Sequence, residues 1–168
     1  MTQPPAGPAG ELVRLLQLAP HPEGGWYREI FRSADTSPQP DGRGPRQALT
    51  SIDFLLAAGE RSAWHRVASD EAWHLLEGGP LRLWLLPPDL SRLELLTLAP
   101  VDDQGRRPRA VVPAHWWQAA EPAAGASFAL VGATVGPGFH FADFSFGRDD
   151  PALLQALPGL QPDSSRLL

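Results

Sequence analysis

The segment from Gly59 to Gly78 reads GERSAWHRVASDEAWHLLEG, and it decides the fold class. It holds two short apolar runs, residues 63–68 and 71–77, with polar residues between them and a Gly-Gly-Pro turn signal after them. Apolar runs of this length that are bounded by turn residues are typical of β-strands. Strand alternation places Glu71 and Trp73 on one face of the second run and His74 on the other.

The same pattern extends to both sides of this segment. Short apolar runs recur, and clusters of Gly, Pro and Asp separate them, at 26–32, 49–56, 81–86, 92–98, 109–112, 127–135 and 139–146. Many short strands without long helices between them predict a sandwich or barrel and argue against parallel βαβ units. Residues 33–46 lack periodicity and predict a long surface loop.

The two ends of the chain differ from this β-rich centre. An amphipathic pattern predicts a short helix over residues 11–18, and a second one is predicted over 151–157. We therefore expect a disordered leader over 1–10, a single domain over 11–157 and a flexible tail over 158–168.

Composition excludes several function classes. The 168 residues carry a net charge of −5 and contain no Cys, so disulfides, thiol nucleophiles and Cys-based zinc sites are excluded. Every basic residue is Arg, which excludes a lysine Schiff base. The arginines form no basic stripe, and no apolar run approaches the ~20 residues of a membrane helix, so we expect neither nucleic acid nor a membrane as partner. These features fit a cytoplasmic protein.

The opening segment resembles the first motif of the cupin superfamily. That motif has a glycine, then His-x-His, then a glutamate and a second glycine, and this chain matches its spacing with Gly59, His65, Glu71 and Gly78. Val67 stands in place of the second histidine. The stretch PAHWWQ at 113–118 resembles the second motif, with Gln118 where a histidine is expected.

Further segments narrow the resemblance to the cupin-5 (DUF985) family. They are HPEGGWYRE at 21–29, TSIDFLL at 50–56, DEAWH at 70–74 and GFHFADF at 138–144, and the similarity covers about residues 11–147. The resemblance implies a mainly β fold, a double-stranded β-helix or jelly-roll barrel flanked by the two short helices. It also implies a homodimer similar to the sugar-epimerase cupins, and no settled reaction.

A cupin metal site usually has three histidines and one glutamate. Here the resemblance supplies His65 and Glu71, with Gln118 as a weak third ligand and apolar Val67 in the fourth place. Two good ligands rarely hold a divalent ion tightly, so we expect no cofactor, with a divalent metal as the alternative.

His65 and Glu71 suggest proton transfer as well. If the two strands pair, Glu71 can accept from one ring nitrogen of His65, and the other nitrogen faces the pocket as a general base. The alternative interpretation is a buried, satisfied histidine that binds a ligand hydroxyl. Tyr27 is the only phenol in the chain and therefore the candidate acid.

Other polar residues are candidates for ligand binding. Two arginines could anchor an anion, although an outward salt bridge is the commoner function of such residues. His74 needs a bulge to reach the pocket of Glu71, so an interface position is the alternative for it. The full set of candidates is Arg28, Ser62, Arg66, Trp73, His74, Gln118 and Asp143.

Two classes of function follow from these residues. The first is an enzyme that binds a small molecule, an epimerase or isomerase of a sugar or hydroxy-carbonyl compound with His65 as base. The second is a cupin that binds a small ligand without catalysis, and a weak metal-dependent enzyme is a third alternative.

Overall fold

A computed structural model describes residues 3–168, and short strands dominate it. Two α-helices and thirteen strands are joined by turns and by three 3₁₀ turns, at Phe141–Asp143, Gly147–Asp149 and Pro162–Leu167. In chain order the elements are α1 Gly7–Leu15, β1 Ala19–Pro20, β2 Trp26–Arg32, β3 Thr36–Ser37, β4 Arg46–Gln47, β5 Thr50–Ala57, β6 Ser62–Val67, β7 Asp70–Gly78, β8 Leu81–Leu86, β9 Glu94–Leu98, β10 Arg109–Val112, β11 Trp117–Pro122, β12 Phe128–Gly136, β13 Phe144–Phe146 and α2 Pro151–Leu160.

The strands form two antiparallel sheets that enclose the core. One sheet has the order β1-β2-β5-β12-β7-β10, and the other has the order β13-β6-β11-β8-β9. From β5 to β8 and again from β10 to β13 the chain alternates between the two sheets, so β6 and β7 lie in different sheets. This arrangement is the predicted jelly-roll barrel with two flanking helices, so the fold class is confirmed.

Three apolar clusters hold the barrel together. The largest lies between the sheets and includes Phe54, Trp73 and Leu83. α1 packs Ala9 and Val13 over one end of the six-stranded sheet. The third cluster joins tryptophans of the five-stranded sheet to α2, and its largest members are Trp64, Trp84, Trp117, Leu153 and Leu157.

Trp84 lies on the outer face of its sheet and is fully buried beneath the C-terminal helix of its own chain. A large aromatic side chain on the outer face of a sheet must be shielded from water, and here the C-terminal helix of the same chain shields it.

Local sequence explains how the C-terminal helix begins. The carboxylate of Asp150 accepts a 3.0 Å hydrogen bond from the backbone N–H of Leu153, which is an N-cap. Pro151 occupies the first turn, where its missing N–H is tolerated.

Parts of the expected leader and tail belong to defined elements of the structure. α1 begins at Gly7, and Ala9 is buried, so residues 7–10 belong to the domain rather than to a leader. Residues 1 and 2 lie outside the described part. In the expected tail, the Trp64 indole donates a 2.8 Å hydrogen bond to the carbonyl of Ser164, and Leu167 is buried.

Two strand boundaries also differ from expectation. β11 was not among the predicted strands, because its small and polar residues hide its burial. The run 139–146 is a strand only over Phe144–Phe146, since a 3₁₀ turn occupies 141–143. The predicted loop over 33–46 contains the small β3–β4 ladder. No helix in the described residues is long and apolar enough to cross a membrane.

Candidate functional site

A cavity of about 430 Å³ is lined by both sheets and by the loop that precedes β2. Its lining combines titratable groups with an aromatic cluster. The lining residues are His21, Glu23, Tyr27, Glu29, Arg32, Thr50, Ile52, His65, Val67, Glu71, Ala133, Val135, Phe139, His140, Phe141 and Phe144.

His65 is buried on β6 and both of its ring nitrogens have neighbours. Nδ1 lies 2.8 Å from the carbonyl oxygen of Ala63, and because a carbonyl can only accept, Nδ1 carries the proton. Nε2 lies 3.3 Å from Oε2 of Glu23. In neutral His65 this nitrogen is an acceptor, so the short distance to a carboxyl oxygen favours a proton shared between Glu23 and His65.

The predicted pairing of His65 with Glu71 is therefore wrong, and Glu23 takes the place of Glu71. The physical reason is the topology, since β6 and β7 are consecutive in the chain but belong to opposite sheets. Glu23 was not among the candidate site residues predicted from the sequence. The signal that sequence reasoning missed was an acidic residue inside the quoted HPEGGWYRE segment.

A tight turn at Gly24 places Glu23 beside the cavity. Gly24 has φ +108°, and a Cβ at this position would lie 2.1 Å from the carbonyl oxygen of Arg61. Only glycine accommodates that approach. Ser62 then donates a 2.9 Å hydrogen bond to Oε1 of Glu23, which leaves Oε2 towards His65.

Glu71 has a different set of partners. Nε2 of Gln118 donates a 2.6 Å hydrogen bond to Oε2 of Glu71, and Oε1 of Gln118 accepts a 2.9 Å bond from the indole of Trp73. An indole N–H can only donate, so it fixes the orientation of the amide. Gln118 must therefore present its N–H, and not its oxygen, to Glu71.

Burial shifts the ionisation of these groups towards their neutral forms. Desolvation raises the pKa of Glu23 to about 8, although the bond from Ser62 opposes the shift. Desolvation also raises the pKa of Glu71 to about 7, against the opposing effects of His65 and Gln118. The pKa of His65 is lowered by burial, and that of His21 falls to about 4 because of burial and the nearby His65.

The side chains in this cavity do not form a binding site for the divalent metal that the cupin resemblance gave as an alternative. Of the suggested ligands His65, Glu71 and Gln118, the amide offers a donor N–H rather than a lone pair. The ring nitrogens of His65 face Ala63 and Glu23. Within residues 3–168, no group of three or more His, Asp or Glu side chains is placed to hold a metal ion.

Among the other predicted site residues, Tyr27 lines the cavity. Its ring packs edge-on against His21, with ring centroids 4.5 Å apart. Ser62, Trp73 and Gln118 lie behind the cavity wall and act through the glutamates that they support. Of these, Trp73 was expected to face the pocket, but it belongs to the core between the sheets.

Four predicted ligand-binding residues lie elsewhere. Arg28 points away from the pocket and donates to the carbonyl of Leu16 and the side chain of Gln17. Arg66 lies over the ring of Trp117, and His74 lies in a separate shallow recess beside Val101. For these residues strand alternation decides the outcome, because each occupies the face opposite to the cavity.

Asp143 is the fourth of them, and it is bound in an ion pair. Both of its carboxylate oxygens accept 2.7 Å hydrogen bonds from Arg46, and Arg43 lies 3.3 Å away. The bond from Arg46 holds the pKa of Asp143 below its usual value. The contacts of Arg43 and Arg46 with Asp143 connect the segment before β5 to the 3₁₀ turn that contains Phe141.

The cavity has an aromatic side near that turn. Phe139, Phe141 and Phe144 contact one another edge-on, and Phe144 stacks on His65 with ring planes 16° apart. Phe141 is 58% exposed, so part of this surface is open to solvent. His140, which was expected on the surface, is exposed but also borders the cavity.

Comparisons with known proteins agree with the architecture. The family described as "Cupin superfamily (DUF985)" matches residues 10–147. A protein from Shewanella oneidensis is 33% identical with a TM-score of 0.81, over 95% of this chain and 96% of that one. A hypothetical protein from Leishmania major is 30% identical with a TM-score of 0.79, over 95% of both chains.

A more distant structure supports the fold alone. It is a dTDP sugar isomerase from Desulfovibrio desulfuricans, 15% identical with a TM-score of 0.52, over 76% of this chain and 87% of that one. Among curated proteins, none matches this sequence. The family match and the two related structures together show that this chain belongs to the Cupin_5 (DUF985) family of the cupin superfamily.

Proposed function

We propose that the cavity binds a small organic molecule and transfers a proton on it, as an epimerase or isomerase of a sugar or other hydroxy-carbonyl compound does. The observation that carries the proposal is the 3.3 Å approach of Glu23 to His65 inside a cavity that both residues line. A carboxyl group coupled to an imidazole can accept and return a proton with little rearrangement.

The proposed step moves one proton at a carbon next to a carbonyl. The step starts from the ionised form of Glu23, which is populated as the pH approaches its raised pKa of about 8. The C–H bond breaks, its proton passes to Oε2 of this carboxylate, and the electron pair remains on the substrate as an enolate. A second group returns a proton to the carbon or to the oxygen. Tyr27 and Glu71 both line the cavity and are the candidates for this second group.

Burial gives these groups suitable acidity for that chemistry. A general acid or base works best when its pKa lies near the working pH. The pKa of Glu23 is raised to about 8 and that of Glu71 to about 7 by desolvation, so both can gain and lose a proton near neutrality. Ordinary exposed glutamates would be fully ionised there.

Deuterium exchange tests the proposal whatever the product of the reaction is. The protein is incubated in D₂O with a panel of sugars and hydroxy-carbonyl compounds, and loss of the C–H signal next to the carbonyl is followed by NMR. We expect exchange with the wild-type protein, and its loss in Glu23→Gln. Exchange at the same rate in that variant would reject Glu23 as the base.

A ligand-binding protein without catalysis is the second candidate, and one observation favours it. The two predicted catalytic groups already have partners within the protein, since His65 is held between Ala63 and Glu23 and Glu71 accepts from Gln118. Such a pocket can hold a ligand without chemistry. Saturable binding without deuterium exchange for any compound that binds would establish this alternative.

We further propose that the protein acts as a homodimer in the cytoplasm. The absence of cysteine fits a reducing compartment. β1 pairs only with Trp26 and Tyr27, so the rest of β2 is an open sheet edge, and its Ile30 and Phe31 are more than half exposed. Exposed apolar residues on a strand edge suit pairing with a second copy. Light scattering should give twice the chain mass, and Ile30→Lys should reduce it to that of a single chain.

A further inference from the structure

We propose that this pocket selects ligands without a negative charge, and so takes an uncharged sugar or hydroxy-carbonyl compound rather than a phosphorylated, carboxylated or nucleotide-linked one. The inference rests on the proposed function insofar as it assumes that the cavity is the ligand site. It adds the chemical class of the ligand, which the fold comparison leaves open.

The first argument is that the cavity wall has little positive charge to bind an anion. Among the described residues, Arg32 is the only Arg or Lys that lines the cavity. Its guanidinium donates two bonds to Glu29, of 2.9 and 2.7 Å, and one each to Gln47 and the carbonyl of Phe139. Four of its five N–H groups are therefore engaged, and the neighbouring carboxylate of Glu29 neutralises its charge.

The second argument is the type of hydrogen-bonding group that the cavity offers. Two buried carboxyl groups, those of Glu23 and Glu71, line it, and the proton of Glu23 is already shared with His65. The remaining lone pairs of these carboxyl groups can accept from ligand hydroxyl groups. A phosphate or carboxylate brings only further acceptors, so beside these lone pairs its oxygens would lose their hydration without gaining a donor.

The third argument is the apolar remainder of the wall. Ile52, Val67 and the cluster of Phe139, Phe141 and Phe144 offer no donor to an anion. They suit the C–H face of a sugar or a similar ring. The imidazoles inside the cavity do not replace the missing cation, because burial lowers the pKa of both His21 and His65 and keeps them neutral. His140 lies at the exposed border of the cavity.

A pair of dyes with one skeleton tests this selectivity. N-phenylnaphthylamine is neutral, anilinonaphthalenesulfonate carries the same rings with a sulfonate, and both fluoresce when they enter an apolar site. We expect saturable binding of the neutral dye and at least about tenfold weaker binding of the sulfonate. Binding should be lost for the neutral dye in Ala133→Phe, which fills the cavity.

Charge-adding variants provide the converse test. Ile52→Arg places a cation inside the cavity and should strengthen sulfonate binding at least about tenfold, whereas the neutral control Ile52→Gln should not. Should Ile52→Arg fail to fold, Phe141→Arg supplies a cation at an exposed position of the rim, with Phe141→Gln as its control. Circular dichroism establishes that each variant is folded.

Equal or tighter binding of the sulfonate by the wild-type protein would overturn the inference, as would the absence of saturable binding of the neutral dye. Neither result depends on turnover. The deuterium-exchange experiment can therefore fail while the charge selectivity holds, and the reverse is also true.

Discussion

The indole of Trp73 donates a 2.9 Å hydrogen bond to Gln118, and this bond determines what Glu71 can do. Because the indole has no acceptor, the amide oxygen is fixed towards Trp73 and the amide N–H towards Glu71. A group that never enters the cavity thus sets the hydrogen-bonding pattern inside it.

Replacement of Gln118 by Met should raise the pKa of Glu71 above about 7. The bond from Gln118 stabilises the ionised carboxylate, and its loss leaves the carboxylate buried without that donor. The measurement is the ¹³C chemical shift of the Glu71 carboxyl group as a function of pH. Ser62→Ala is the matched control, since it should raise the pKa of Glu23 and leave Glu71 nearly unchanged. A lower pKa of Glu71 in Gln118→Met would contradict the assigned orientation of the amide.

The free energy of unfolding should fall as the pH rises from 6.5 to 8. The pKa of Glu23 is about 8 in the folded state against an ordinary 4.5, so over this interval the folded protein binds more protons than the unfolded chain. Glu71 contributes in the same direction up to about pH 7. The buried histidines act in the opposite direction, because their folded-state pKa values are lowered while in the unfolded chain they are still half protonated at pH 6.5. Their effect is smaller than that of the glutamates, since it ends within about one pH unit above 6.5.

The expected loss is on the order of 1–2 kcal/mol, since one pKa unit corresponds to about 1.4 kcal/mol. Urea denaturation at the two pH values measures it. Glu23→Gln should remove most of the slope, and a stability that increases over this interval would show that Glu23 is ionised in the folded protein.

Two substitutions should convert the cavity into a metal site. Val67 lines the cavity beside His65, and Gln118 lies opposite His65 in the ladder between β11 and β6. The double variant Val67→His, Gln118→His therefore adds two imidazoles around His65 and Glu71, a donor set that suits divalent transition metals. We expect it to bind one Co²⁺ with a visible absorption band, and the wild-type protein to show no such band. An equal band in the wild-type protein would mean that Gln118 turns its oxygen inwards when a metal binds.

The C-terminal helix should contribute strongly to stability through a single leucine. Leu153 is fully buried against the tryptophans of the five-stranded sheet, so Leu153→Ala should lower the free energy of unfolding by about 2–5 kcal/mol. Its neighbour Leu154 is 40% exposed, and Leu154→Ala is the matched control with a much smaller expected change. Comparable effects of the two substitutions in urea denaturation would contradict the observed packing.

The barrel could be predicted well from the sequence because most of its strands are apolar runs bounded by turn residues. Apolar runs such as 81–86 and 109–112 match β8 and β10 residue for residue. The strand β11 escaped prediction because Gln118 and Glu121 are buried in it, and a buried polar residue carries no hydrophobic signal. Only its partners, which lie far away in the chain, account for that burial.

The site was predicted in part for the same reason. The resemblance to the first cupin motif implied that His65 and Glu71 share one cavity, and both line it. Their proposed contact failed because β6 and β7 belong to opposite sheets, and a distant loop supplies Glu23 instead. Long-range neighbours of this kind are set by topology and leave no local pattern in the sequence.

The hydrogen bonds from Gln118 to Glu71 and from Trp73 to Gln118 also join β11 to β7, and therefore one sheet to the other across the barrel. The two sheets cannot separate or close on each other at this level without breaking both bonds. The cavity is therefore preformed, and the binding of a ligand needs no closing movement of the barrel.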